Sequence, residues 1–203
     1  MIYDKARRLI GLTGGIATGK STVAHYLANT YSLTILDADL YAREAVAPGT
    51  PILAEIFDRY GHQVQLSDSS LNRQALAEII FNNPAEKVWL ESKIHPYVRQ
   101  KLESAISNLC EDAVLVIPLL FEANMTDLIT EIWVVFCSFE EQIKRLMQRD
   151  NISRQQAISR IKNQMPLAEK VARADVVLDN LSTVENLWQQ IDMNYTKYRN
   201  SIS

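Results

Sequence analysis

The run Gly14-Gly15-Ile16-Ala17-Thr18-Gly19-Lys20-Ser21 follows the spacing G-x-x-x-x-G-K-[ST] and constrains this chain more than any other feature. The pattern carries meaning only between a buried strand and a helix that opens near the lysine. Both flanks are present: Arg8 to Thr13 is apolar enough for a buried strand, and Lys20 to about Tyr31 reads as a helix. In such a loop the glycines let the backbone curl until successive N–H groups point inward at phosphate oxygens. Lys20 sets a compact positive charge on the outer phosphates, the Ser21 hydroxyl suits Mg²⁺, and the helix adds its positive dipole end. A glycine turn between strand and helix explains the glycines but not the Lys20-Ser21 pair, and chance produces the whole pattern in on the order of one chain per hundred.

The rest of the chain alternates short apolar runs with helical stretches. Leu33 to Leu36, Val114 to Ile117, Ile132 to Phe136 and Val176 to Leu178 read as further strands, which predicts an α/β fold with a parallel sheet covered on both faces. The spacing is uneven. Between Asp39 and Asp112 the pattern is helical, over Pro51 to Tyr60, Arg73 to Phe81, Pro84 to His95 and Pro96 to Leu109, with Val64 to Leu66 a small strand at most. A second excursion, Phe139 to Arg149 and Ser153 to Gln164, is amphipathic and basic, and Ser153 with Gln156 suits a capping box. The tail from Asn186 to Ser203 reads as a final packed helix. The expected layout is one P-loop unit over residues 1–203, with a core at about 1–39, 112–138 and 172–203 and two helical excursions, at about 40–111 and about 139–171, that overhang the crevice.

Composition removes several classes. With 24 acidic against 21 basic residues the net charge is -3, which excludes a globally basic nucleic-acid surface. The two cysteines, Cys110 and Cys137, are too few for a disulfide framework and fit a reducing cytoplasm. The start, Met1 to Arg8, has charge but no signal-peptide core. The longest apolar run, Ala113 to Phe121, has nine residues and contains Pro118, against about 20 for a membrane span. A cytoplasmic protein with no nucleic-acid or membrane partner is therefore expected; these features do not bear on oligomeric state, for which a monomer is the working expectation.

Among P-loop proteins a GTPase requires an N-K-x-D motif, and the chain has none; Asp58-Arg59-Tyr60-Gly61 matches D-x-x-G but lies in a helical segment. The third strand runs into Pro118-Leu119-Leu120-Phe121-Glu122 rather than the Asp of a Walker B strand. Small size and two helical excursions fit a kinase of small metabolites. Asp39, after the second strand, is the candidate general base that takes the proton of an acceptor hydroxyl. Asp37 would point to the other side if extended structure continued, holding structure or reaching Mg²⁺ through water. Arg145, Arg149, Arg154 and Arg160 in the second excursion could close over the transferring phosphate, and Arg145 and Arg149 share one helix face. A kinase of another alcohol or nucleotide, and a nucleotide-responsive binding protein, remain as alternatives from these residues alone.

A set of motifs in fixed order narrows the choice. Leu12-Thr13-Gly14-Gly15-Ile16 through Lys20-Ser21-Thr22, Asp37-Ala38-Asp39, His95-Pro96, Pro118-Leu119-Leu120-Phe121-Glu122, Gln148-Arg149-Asp150 and Ala174-Asp175-Val176-Val177-Leu178-Asp179-Asn180 resemble the dephospho-CoA kinase family from about Leu9 to Asn180. The resemblance implies ATP-dependent phosphorylation of the ribose 3′-hydroxyl of dephospho-coenzyme A, the last step of coenzyme A synthesis, with Mg²⁺. It also implies that the excursion at about 40–111 is a helical CoA substrate-binding insertion and that the one at about 139–171 is a helical lid. It implies ATP along Gly14, Gly15, Ile16, Ala17, Thr18, Gly19, Lys20, Ser21 and Thr22, with Arg149 and Asn180 beside it. It implies Asp39, Lys20 and Arg145 as catalytic groups, Ser21 as the metal contact, and Asp39, Arg43 and His95 on the acceptor side. Two stretches depart from the family pattern: in the loop, Ala17 and Thr18 stand where Gly and Ser are common, and Asp68-Ser69-Ser70 stands where an Asp-Gly turn is usual. Ala17 is costly only if its φ is positive. Trp89, Phe81 and Tyr97 are expected in the core of the insertion, and His25 and His62 are ordinary.

Overall fold

The computed structural model describes residues 7–200. The charged start up to residue 6 and the end of the expected C-terminal helix, 201–203, lie outside the described residues. Five strands, β1 (Leu9–Gly14), β2 (Thr34–Asp37), β3 (Ala113–Val116), β4 (Glu131–Phe136) and β5 (Val176–Asp179), form one parallel sheet in the order β2-β3-β1-β4-β5. The helices are α1 (Lys20–Tyr31), α2 (Ala38–Ala45), α3 (Pro51–Tyr60), α4 (Arg73–Asn82), α5 (Pro84–Ser107), α6 (Phe139–Asp150), α7 (Arg154–Lys162), α8 (Leu167–Val171) and α9 (Val184–Asn200). They divide into two compact units, one built from Met1–Asp37 with Leu109–Ser203 and the other from Ala38–Asn108.

In the sheet unit β1 is central and buried along its whole length, as a strand covered on both faces must be. Its alternate residues Ile10 and Leu12 join Val23 and Leu27 of α1 and Leu187, Ile191 and Tyr195 of α9 in one core, with Trp133 of β4 fully enclosed. Each such side chain contributes about 1.5–3 kcal/mol by leaving water. On the opposite face Gly11 lies against the Ile129 side chain, with no room for a Cβ. The chain leaves β1 for β2 on one side and later reaches β4 on the other, so the strand order reverses at β1. The C-terminal end of that strand is where an open α/β sheet forms its crevice.

The helical unit has its own core of Ala45, Val46, Leu53, Ile56, Leu76 and Leu90 among others. Helices α3, α4 and α5 start on local caps: Thr50 Oγ1 accepts the Leu53 N–H, Asn72 that of Ala75, and Asn83 that of Ala85.

Several expectations are corrected here. The segments on either side of Pro96 form one helix, α5, because Leu90, Val98 and Leu102 keep a continuous buried face that outweighs the hydrogen bond proline cannot make. Extended structure stops at Asp37: α2 begins at Ala38, in a run of good helix formers, so Asp37 and Asp39 do not alternate across a strand. The small strand at Val64 to Leu66 reduces to one bridge, Gln65 with Leu71, after a 3₁₀ turn over Gly61–Val64. Phe81 is 51% exposed, whereas Trp89 and Tyr97 do pack on the helical core. The five-residue α8 is an element that periodicity did not show.

Candidate active site

The loop after β1 is assembled from backbone. Gly19 opens α1 at φ 104, and a Cβ there would collide with the Asn180 carboxamide. That carboxamide donates through Nδ2 to the Thr18 carbonyl at 2.9 Å. Arg145 of α6 reaches the same place: Nη1 donates to the Thr18 carbonyl at 3.4 Å and Nη2 to the Asn180 carbonyl at 2.9 Å, while Nε pairs with Glu141 at 2.8 Å. Lys20 Nζ curls over the loop and donates to the carbonyls of Gly15 at 2.7 Å and Gly14 at 3.3 Å. Thr18 is fully buried and donates through its hydroxyl to the Gly15 carbonyl at 3.0 Å, so the hydroxyl kept at this position is used inside the loop. Ala17 sits at φ 60, the left-handed conformation in which its Cβ is costly. Ser21 and Thr22 lie exposed on the first turn of α1.

Around the loop, α6 to α8 supply further polar groups. Arg149 and Arg160 both bind Asp150, and the Arg149 hydrogen bonds hold that carboxyl below its usual range. Arg154 pairs with Glu140. Arg145 is thus the arginine of this group that touches the loop, and Arg149 is engaged by its neighbour on the exposed side. Lys170 of α8 is fully buried; its ammonium donates to the Pro118 carbonyl at 2.8 Å and pairs with Glu122 at 2.9 Å. Burial opposes the Glu122 charge, but hydrogen bonds from Lys170 and the Met165 N–H outweigh it and keep the carboxyl below the usual range. Cys137 is buried near Arg145 and Lys20, and burial pushes its thiol up. A cavity of about 430 Å³ extends from Gly15 past Cys137 and Gln142 to Gln164 and Leu167.

In the helical unit Asp39 and Arg43 lie one turn apart on α2 and line a cleft of about 270 Å³ together with Arg73. Val46, Leu76 and Leu90 give the cleft apolar walls. Arg73 Nη2 donates to the Arg43 carbonyl at 3.5 Å. One carboxylate, two guanidinium groups and an apolar wall suit a long, anionic and partly apolar ligand. His95 sits partly buried on α5 and is not among the residues lining this cleft.

The profile of the dephospho-CoA kinase family matches residues 8–186, which hold the loop, Arg145, Asn180 and the whole helical unit. This chain belongs to the dephospho-CoA kinase family. It is 56% identical to a dephospho-CoA kinase of Trichormus variabilis over 92% of this chain and 96% of that one. Among solved structures it resembles a protein of Thermus thermophilus (TM-score 0.79, 34% identity, 95% of this chain and 98% of that one). A dephospho-CoA kinase from Campylobacter jejuni superposes with TM-score 0.71 at 27% identity, over 96% of this chain and 98% of that one.

Within this family frame the structure brings Lys20, Arg145 and Asn180 to one loop, and Asp39 and Arg43 to one cleft. Sequence reasoning missed Arg73, Gln142, Gln164 and Lys170. Arg73 opens α4 behind its Asn72 cap, with no spacing that ties it to Arg43. Gln142, Gln164 and Lys170 belong to no motif, and only tertiary contact shows Gln142 and Lys170 buried.

Proposed function

We propose that this chain transfers the γ-phosphoryl group of ATP to the ribose 3′-hydroxyl of dephospho-coenzyme A, giving coenzyme A and ADP. The match to the family over residues 8–186 carries this reading. In the transfer the acceptor oxygen forms a bond to the γ-phosphorus, the bond to the β–γ bridging oxygen breaks, and ADP leaves. Asp39 orients the hydroxyl and takes its proton. Backbone amides of the loop and Lys20 hold the β- and γ-phosphates, and the Arg145 guanidinium stabilises charge that grows on the transferring group. Arg149 is the second lid arginine on the phosphate side, and Asn180 is the residue beside the adenine.

The exposed Ser21 hydroxyl at the start of α1 is a hard oxygen donor, and with phosphate oxygens it suits Mg²⁺. When bound, that ion neutralises phosphate charge. The arginines of the Asp39 cleft suit the diphosphate of the acceptor, and its apolar wall suits the pantetheine arm; His95 is assigned to the same side. The division of labour follows the two units: Ala38–Asn108 binds the acceptor and includes Asp39, and the remainder is the core, in which about 139–171 serves as the lid. The enzyme is proposed to work as a cytoplasmic monomer; among the described residues no helix is long and apolar enough to cross a membrane.

Incubation with ATP, Mg²⁺ and dephospho-coenzyme A is expected to yield ADP and 3′-phosphorylated product in equal amounts, with other nucleotides and small alcohols competing poorly. ATP binding without transfer to dephospho-coenzyme A would reject the assignment.

A further inference from the structure

The peptide groups of Ile16, at the tip of the loop, are clasped from two sides. Its N–H donates to Gln164 Oε1 at 2.8 Å, and its carbonyl accepts from Gln142 Nε2 at 2.8 Å. Gln142 lies on α6 and is only 2% exposed, while Gln164 follows α7 and is half-buried. The Ile16 and Ala17 side chains pack on Ile143, Leu146 and Ala157 of the same two helices. Gln142 also fills the space a Cβ on residue 15 would need, which accounts for Gly15.

A trans peptide is planar, and its C=O and N–H point in opposite directions. The Ile16 carbonyl and the Ala17 N–H belong to one such plane, so the bond from Gln142 fixes the Ala17 amide to point away from α6. The Ile16 N–H is itself taken by Gln164. We infer that Gln142 and Gln164 are positioning residues for the phosphate loop. They start its row of phosphate-facing amides at Ala17 and hold that residue at φ 60 against its conformational cost. They also make loop geometry depend on the segment from α6 to α8. This rests on the reading of the loop as the ATP site.

The test compares Gln164→Met, which keeps bulk but loses the acceptor, with Gln164→Glu, which keeps an acceptor oxygen. Hydrogen exchange of the Ile16 amide, read without nucleotide, is expected to speed up in Gln164→Met and stay slow in Gln164→Glu. ATP affinity by calorimetry is expected to fall about tenfold in Gln164→Met, the size of one hydrogen bond lost with its partner left unsatisfied. The KM for dephospho-coenzyme A should move by less than about twofold, whereas general loosening of the fold would move both substrates. Gln142→Met should act in the same direction; because Gln142 is buried and its loss risks folding, the half-buried Gln164 carries the decision. Unchanged ATP affinity and unchanged Ile16 exchange in Gln164→Met, or equal losses for both substrates, would overturn the inference. A wild type that binds ATP yet transfers nothing to dephospho-coenzyme A rejects the proposed reaction, while Ile16 exchange and ATP calorimetry still decide the inference.

Discussion

The sheet unit and the helical unit present their candidate groups in different ways. In the first, the ligand-facing surface is mostly backbone: a loop of amides whose shape is held by Thr18, Asn180, Arg145 and two glutamines. In the second it is side chains on helix faces, with Asp39, Arg43 and Arg73 above apolar walls. A backbone site demands particular residues at particular spacings, because only certain φ angles and small side chains permit it. A side-chain site demands only that a few groups meet, which many spacings achieve. The first therefore writes a motif into the sequence and the second does not.

That contrast breaks most visibly if function does not divide along it. Asp39→Asn is expected to lower kcat by about 10²–10⁴-fold with ATP affinity unchanged, as loss of a general base does. Lys20→Ala is expected to lower ATP affinity and turnover together, by about 10²–10³-fold in kcat. Equilibrium binding beside steady-state kinetics separates the two patterns.

The Lys170–Glu122 pair sharpens the comparison, because its ammonium is fully buried, whereas both partners of an ion pair in the helical unit such as Lys93–Glu55 are exposed. Glu122→Gln leaves the Lys170 charge uncompensated and is expected to cost about 3 kcal/mol by urea unfolding at neutral pH, the low end for such a loss because Glu122 is partly exposed. The folded Glu122 carboxyl lies below its ordinary value of 4.5, so its stabilisation is complete above that pH and is lost as pH falls through the depressed value. Wild type should therefore lose an acid-side increment of stability that Glu122→Gln lacks.

Smaller effects come from the two left-handed residues that depart from glycine. Ala17→Gly relieves the Cβ at φ 60 and is expected to add about 0.5–1 kcal/mol, or about 2 °C in Tm. Ser69, at φ 64 in the exposed turn where Asp68 accepts from the Ser70 N–H and hydroxyl, is polar and less strained, so Ser69→Gly should gain about half as much. Differential scanning calorimetry of the two variants checks the order.

The sheet was legible because strands covered on both faces are continuous apolar runs: Ala113 to Val116 and the core of β4 are buried residue after residue. The loop was legible because its chemistry is backbone chemistry. The capping box of α7 forms as Ser153 and Gln156 predict. What sequence could not show depends on partners far along the chain. Pro96 looks like a boundary until the buried face of α5 is seen on both sides of it. Gln142 looks like a polar-face residue until the Ile16 carbonyl is found against it. Lys170 sits in a helix too short for periodicity to mark which side faces inward.

The most direct test of the whole account is a crystal structure with a non-hydrolysable ATP analogue and dephospho-coenzyme A bound together. The predicted result is a β-phosphate enclosed by the amides from Ala17 to Ser21 and an Asp39 carboxylate at about 2.6–3.2 Å from the ribose 3′-oxygen. An empty loop, or an acceptor ribose bound away from Asp39, would contradict it.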